Sequence, residues 1–218
     1  MPITEHVTKF GGRPVWYTQP QWPLGRASGE PMQFICQIAL DEQIFGDTVG
    51  RMAYLFMTEQ TVEREGSFDT YDPDGGENAV IVQPGVCDVP VAPLTDGPRL
   101  YDQSRPVFFL GPLLKAVGAG DACDIAKPCE FAVDVELGED PDFIVENGMP
   151  KYDGVPWSKI GGNPRFLQHP QIPEGGPWKL LLQLAEEECP FDISFADGKA
   201  YAFINEQGTY GKLLFQAG

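Results

Sequence analysis

Between residues 32 and 40 the chain alternates: Met32, Phe34, Cys36, Ile38 and Leu40 fall on one side, and Gln33, Ile35, Gln37 and Ala39 on the other. A period of two is the signature of a strand with one buried face, so the spacing predicts a strand with one strongly apolar side. "AYLFM" from Ala53 and "AVIVQ" from Ala79 are short, aromatic or β-branched and bounded by turn residues, which predicts two more strands. "YDPDGGEN" between them reads as a hairpin loop built on Asp and Gly. The same order returns near the end of the chain. "PWKLLLQLA" from Pro177 presents Trp178, Leu180, Leu182 and Leu184 at alternate positions, and "AYAFINEQ" and "KLLFQAG" follow it.

Laid side by side, the two stretches match residue for residue. Gly11, Gly12, Pro14, Pro20, Gln21 and Pro23 correspond at one constant spacing to Gly161, Gly162, Pro164, Pro170, Gln171 and Pro173, with Lys9 against Lys159 and Trp16 against Phe166. After a four-residue deletion the match resumes and pairs Gln37 with Gln183. "AYLFMTEQ" and "AYAFINEQ" share five of eight residues, far above chance, which points to a tandem duplication. Each copy, 9–85 and 158–218, is too small to bury a face alone, so the two are expected to cover each other within one domain spanning 1–218. The fold class expected is α+β, β-dominated, with antiparallel sheets from two tandem pseudo-symmetric repeats and few short helices. Residues 86–157 have no counterpart in the other copy. Within them "RPVFFLG" and "EFAVDVEL" predict strands, and 111–120 a short helix.

The repeated glycine pair reads as scaffold. No GK[ST] follows it, the GxGxxG spacing is absent, and proline removes an N–H that an anion would need. Gly11 and Gly12, like Gly161 and Gly162, permit positive φ, Pro14 and Pro164 fix the next bend, and Trp16 and Phe166 are expected to anchor the segment in the sheet core.

Charge narrows the choice of partners. With 15 basic and 32 acidic residues the formal charge is −17, which repels nucleic-acid backbones and anionic membranes and favours basic proteins or peptides. Five cysteines with no CxxC spacing write neither a disulfide framework nor a zinc ribbon. "MPITEHVTKFGG" lacks the charged and apolar regions of a signal peptide, and no long apolar run exists. The expectation is a soluble cytoplasmic protein without a cofactor motif.

Candidate chemistry is sparse. Gln37 and Gln183 interrupt apolar runs at equivalent positions, and either bind a partner's backbone or satisfy buried groups of their own chain. Residues 118–154 carry ten acids against two lysines. Asp134, Glu136, Glu139, Asp140 and Asp142 at its centre form a candidate docking surface for a basic partner, or a solvated face. Asp72, Asp74 and Glu77 are oxygen donors of the kind calcium prefers, but the EF-hand spacing is broken. A hairpin turn is the plainer reading of that loop, and a metal-assisted hydrolase built on the three carboxylates is the alternative function. His6 and His169 occupy non-equivalent places, and no Ser-His-Asp or Cys-His order is present. Cys123 and Cys129 lie close in sequence, but read as idle or buried thiols.

The K-[FI]-G-G-x-P segment at both ends, "PMQFICQI", "AYLFMT", "TYDPDGGENAVIVQPG" and the closing "GKLLFQAG" together resemble the YwqG-like family, a bacterial group of unknown function. The resemblance covers nearly the full chain, most closely 9–85 and 157–218. More distantly, that group is similar to eukaryotic programmed cell death protein 2, whose implied role is escorting a basic ribosomal protein. The zinc-binding insert of those relatives has no counterpart here. The family resemblance implies no established activity. Taken with the acidic charge, the expectation is a cytosolic protein-binding module whose acidic surface engages a basic client, either chaperone-like in ribosome assembly or as an antidote to a basic toxin domain.

Overall fold

A computed structural model describes residues 3–46, 48, 50–59, 69–100, 157–189 and 193–218, together with the strand backbones at 132–133, 144–146 and 149–151. The chain is β-dominated. Its described helical pieces are α1 (Glu42–Phe45), capped by the Asp41 carboxylate on Gln43 N at 2.7 Å, and a 3₁₀ turn at Glu186–Glu188.

Nine strands form one sheet in the order β1-β3-β4-β5-β13-β12-β11-β10-β7. They are β1 (Lys9–Phe10), β3 (Gln33–Ala39), β4 (Met52–Met57), β5 (Asn78–Gln83), β7 (Ala132–Val133), β10 (Lys159–Ile160), β11 (Trp178–Ala185), β12 (Lys199–Asn205) and β13 (Gly211–Gln216). All neighbours are antiparallel except β7, which runs parallel to β10 at one edge. Two small pairs stand apart: β2 (Trp22–Pro23) with β6 (Val91–Ala92), and β8 (Ile144–Glu146) with β9 (Met149–Lys151). Of the middle segment, β7 falls within "EFAVDVEL", while "RPVFFLG" and 111–120 lie outside the described residues.

The N-terminal strands and the C-terminal strands meet edge to edge at β5 and β13, where the ladder registers a single pair, Gly211↔Val80. One face of the sheet is shared. Ile38, Leu55, Val80 and Val82 from the first half cluster there with Leu182, Leu184, Ala202, Leu213 and Phe215 from the second. The opposite face carries two separate clusters, one around Trp22, Phe34, Tyr54 and Phe56 and the other around Leu180, Tyr201, Phe203 and Leu214. Both faces of the long strands are therefore buried, as the burial of every residue in β4 and β5 records.

The expectation of a single apolar face along 32–40 needs correction. A register shift falls between Phe34 and Cys36, so Met32 and Phe34 join the outer cluster while Ile35, Cys36 and Ile38 line the shared one. A second shift falls between Leu180 and Leu182, which sends Leu180 outward and Leu181, Leu182 and Leu184 inward. One extra residue in a strand reverses the facing of everything after it. The bulged carbonyls are not wasted: Ile35 O accepts from Gly11 N at 2.7 Å and Leu181 O from Gly161 N at 3.3 Å.

Candidate functional site

Each glycine-glycine segment crosses the outer face of its own strands. Gly11 and Gly12 have φ of 67° and 65°, and Gly161 and Gly162 of 76° and 72°, a region that L side chains rarely adopt. After these turns the chain runs extended, exposing N–H groups that no neighbouring strand meets, and buried donors must find acceptors somewhere. Side chains of the sheet supply them. Val15 N donates to Gln37 Oε1 at 2.8 Å, Tyr17 N to the Tyr54 hydroxyl at 2.6 Å and Thr18 N to Gln83 Oε1 at 3.0 Å. At the other end Arg165 N donates to Gln183 Oε1 at 2.8 Å, Leu167 N to the Tyr201 hydroxyl at 2.8 Å and Gln168 N to Gln216 Oε1 at 3.0 Å.

The remaining arms of these side chains close the clamps. Tyr54 donates to Val15 O at 2.8 Å and Tyr201 to Arg165 O at 3.0 Å. Gln83 Nε2 donates to Gln19 O at 2.7 Å and Gln216 Nε2 to His169 O at 2.9 Å. Lys9, fully buried, sends its ammonium to Arg13 O at 2.6 Å, and buried Lys159 bonds to Asn163 O in the same way. Trp16 rests half-buried on Tyr54 and Phe56, with centroids 4.7 and 6.1 Å away, and Phe166 on Tyr201 at 5.1 Å. These rings therefore sit on the outer clusters and not in the shared core, because the segment lies across the sheet and does not enter it. Pro14 is buried and Pro164 half-buried in the bends between glycines and rings.

This arrangement corrects the partner-binding reading of Gln37 and Gln183. Both are 0% exposed, and Gln37 spends its amide on Val15 N and Val7 O, while Gln183 spends its oxygen on Arg165 N. They face the clamped segment, which leaves no room for another chain. Sequence reasoning missed Tyr54, Tyr201, Gln83 and Gln216, although the repeats "AYLF", "AYAF", "QPG" and "QAG" carried the signal.

The loop holding Asp72, Asp74 and Glu77 does not gather them. Glu77, 2% exposed, turns inward to Thr58 Oγ1 at 2.6 Å and Ala27 N at 2.7 Å. Asp72 accepts from Asp74 N at 2.8 Å, and Asp74 pairs with Lys212 Nζ at 2.5 Å. Among the described residues no group of three or more His, Cys, Asp or Glu side chains converges as a metal site. Asp134, Glu136, Glu139, Asp140 and Asp142, together with Cys123 and Cys129, lie outside the described residues. Cys36, Cys87 and Cys189 are unbridged, and burial pushes each thiol above its ordinary value, helped at Cys189 by Glu186, Glu187 and Glu188. They are held in the protonated, poorly nucleophilic form.

Where β5 meets β13 the sheet opens into a polar niche of about 30 Å³, room for about two waters. Arg26, Asp74, Asn78, Asp88, Tyr210 and Lys212 are among its lining residues. Tyr210 donates to Asp88 at 2.5 Å, and burial first, then that carboxylate, raises the phenol well above its ordinary value and keeps it a donor. Lys212 lies 6.0 Å from the Trp178 ring centroid besides pairing with Asp74. Asn78, 3% exposed, gives its Nδ2 to Thr70 O and Leu213 O, while its Oδ1 has no hydrogen-bond partner. Neither a protein-family model, nor a curated protein, nor a solved structure matches the chain. Among the described residues no helix is long and apolar enough to cross a membrane.

Proposed function

We propose that this chain is a YwqG-like binding protein, made by tandem duplication of one loop-and-strand unit, that engages a basic protein client in the cytoplasm through its acidic surface. The duplication is supported by the paired hydrogen bonds on Gln37 and Gln183, on Tyr54 and Tyr201, and on Gln83 and Gln216. It is supported as well by equivalent registers, Lys9↔Gln37 at one end and Lys159↔Gln183 at the other.

The observation that carries the client reading is that the described basic side chains, Arg26 excepted, are spent on partners within the chain, in a protein of net charge −17. Lys9 and Lys159 are buried under their loops, Lys179 and Arg51 bond to Phe45 O and Gly208 O, and Lys199 and Lys212 pair with Glu187 and Asp74. Acids such as Asp41, Glu42, Asp72, Glu174 and Glu206 stay exposed. A field of one sign steers an oppositely charged partner and is screened over about 8 Å at physiological salt. The client is a basic protein met as a chaperone-like factor in ribosome assembly or as an antidote to a toxin domain.

Affinity capture on the immobilised full chain, washed with rising salt, tests this. Basic proteins are retained at low salt and released as the ionic strength climbs. Recovery of no basic protein at low salt overturns the reading.

A further inference from the structure

We propose that the edge formed by residues 172–174 beside residues 178–180 docks an extended basic segment of another protein as an added strand; this rests on the paired units and the basic partner of the reading above. In the first unit the equivalent place is filled by the chain itself. β6 pairs with β2 as Trp22↔Ala92 and Pro23↔Val91, and Leu24 N donates to Pro90 O and Phe34 N to Pro98 O, both at 2.9 Å. A Cβ on Gly97 would meet the Trp22 ring at 2.7 Å. Under this cover Trp22 is 0% exposed.

The second unit lacks such a cover among the described residues. Ile172, the counterpart of Trp22, is 58% exposed, and neither it nor Pro173 belongs to a strand. Trp178 closes part of the space, its indole N–H donating to Pro173 O at 2.8 Å, but stays half-buried. The edge of β11 is open as well, because β10 meets it only at Leu182 and Gln183. Asn205 N donates to Tyr210 O, and the alternation of an antiparallel ladder then turns Phe203 toward β13. Leu180, opposite Phe203, is left with its N–H facing away from β12, as Phe34 N faces away from β4. No described acceptor meets that N–H, although Leu180 is 2% exposed. An unpaired edge N–H beside an exposed apolar side chain is the surface to which an extended peptide adds as a strand.

Charge selects the occupant. The covering segment of the first unit carries Asp96, which pairs with Arg13 at 2.7 Å. The second unit has Asn163 where Arg13 stands and Glu174 where Leu24 stands, so this site has lost a base and gained an acid. Glu174 is exposed, and so is Glu206, next to the Asn205 that pairs with Trp178. Lys179 spends its ammonium on Phe45 O at 3.0 Å. The segment that fits therefore keeps the valines and prolines of 86–98 and carries Lys or Arg in place of its acids.

The experiment titrates the isotope-labelled full chain with two synthetic peptides, residues 86–98 with Cys87→Ser and the same peptide with Asp88→Lys and Asp96→Lys added, reading amide shifts by NMR. The lysine peptide is expected to give saturable shifts at Ile172, Glu174, Trp178 and Leu180, and the acidic one to bind at least about tenfold more weakly. Ile172→Ser, at an exposed position, should weaken the lysine peptide by about tenfold or more without moving the melting midpoint. The immobilised variant should also lose the basic proteins that the parent captures from lysate. Absence of saturable shifts at these residues, equal binding of the two peptides, or binding unchanged in Ile172→Ser overturns the docking site. Capture that survives Ile172→Ser overturns it too and leaves the acidic-surface reading standing. Saturable shifts at 172–180 without any capture keep the docking site and remove that reading.

Discussion

Tyr54 and Tyr201 hold their two loops by the same pair of bonds: each phenol accepts one backbone N–H, at 2.6 and 2.8 Å, and donates to the carbonyl two residues earlier, at 2.8 and 3.0 Å. Both are 0% exposed and sit opposite the clamp glutamines, Gln37↔Tyr54 and Gln183↔Tyr201. A phenol in this place does what a neighbouring strand would do, satisfying a donor and an acceptor of an extended segment.

Replacing either hydroxyl leaves one buried N–H and one carbonyl underpaired. Tyr54→Phe and Tyr201→Phe should each lower unfolding free energy by about 1–3 kcal/mol, read as a shift of the urea midpoint at unchanged slope. If the two clamps are equivalent the costs agree within experimental scatter. A variant as stable as the parent would show that water replaces the hydroxyl and that the loop is not held there.

The glycines make a second pair. At φ of 65° and 72°, Gly12→Ala and Gly162→Ala force a Cβ into the left-handed region, at a cost of about 1–2 kcal/mol each. Denaturant midpoints should fall for both, while Gly29→Ala, also at positive φ but with nothing within 4 Å of its Cβ, isolates the backbone term without packing. An unchanged midpoint for Gly12→Ala and Gly162→Ala removes the scaffold role.

How far these features were legible depends on whether they repeat locally. The strands at 53–57 and 79–83 follow from short runs of aromatic and β-branched residues, and β4 (Met52–Met57) and β5 (Asn78–Gln83) lie there. The Lys-x-Gly-Gly segments at Lys9 and Lys159 announce themselves by recurring. The bulges at Ile35 and Leu181 do not, because a run such as "QFICQIA" is apolar enough to satisfy either facing, and the facing is fixed by long-range contacts such as the bond from Gly11 N to Ile35 O. For the same reason Gln37 and Gln183 were ambiguous between partner and self: a buried glutamine and a groove-lining one look alike until the segment opposite is placed. The seam niche combines Arg26, Asn78, Asp88 and Tyr210, residues far apart in sequence with no common spacing, so nothing local could have grouped them.

The seam itself is the least registered joint in the ladder, with Gly211↔Val80 its single pair. A Cβ on Gly211 would lie 2.6 Å from both Phe203 O and Val80 Cγ1, and the backbone oxygen has no room to retreat. Gly211→Ala should therefore cost about 1–3 kcal/mol as overpacking and open β5 from β13. Hydrogen exchange should accelerate at Val80 and Gly211 before β3 or β4 responds. Exchange that rises evenly over the sheet would mean that the two halves unfold as one unit and that the seam is no special line of weakness.

Alkaline pH gives a further check on the clamp. Burial, the largest influence, pushes the Tyr54 phenol well above its ordinary value, and the bond from Tyr17 N offsets only part of this. In the unfolded chain the phenol ionises near about pH 10, so above that pH the unfolded state binds fewer protons than the native one and stability falls as pH rises. Below it both states are protonated and the contribution is fully present. The loss from one such group is at most about 1.4 kcal/mol per pH unit. Tyr210, Cys36 and Cys189 are raised in the same direction and steepen the decline in parent and variant alike. Tyr54→Phe lacks this one group, so its deficit against the parent should hold constant from pH 7 to 9 and shrink above pH 10, measured by urea unfolding at each pH. A deficit that widens there would mean that the native state stabilises the phenolate, and the hydroxyl would have to be reassigned from donor to ionised acceptor.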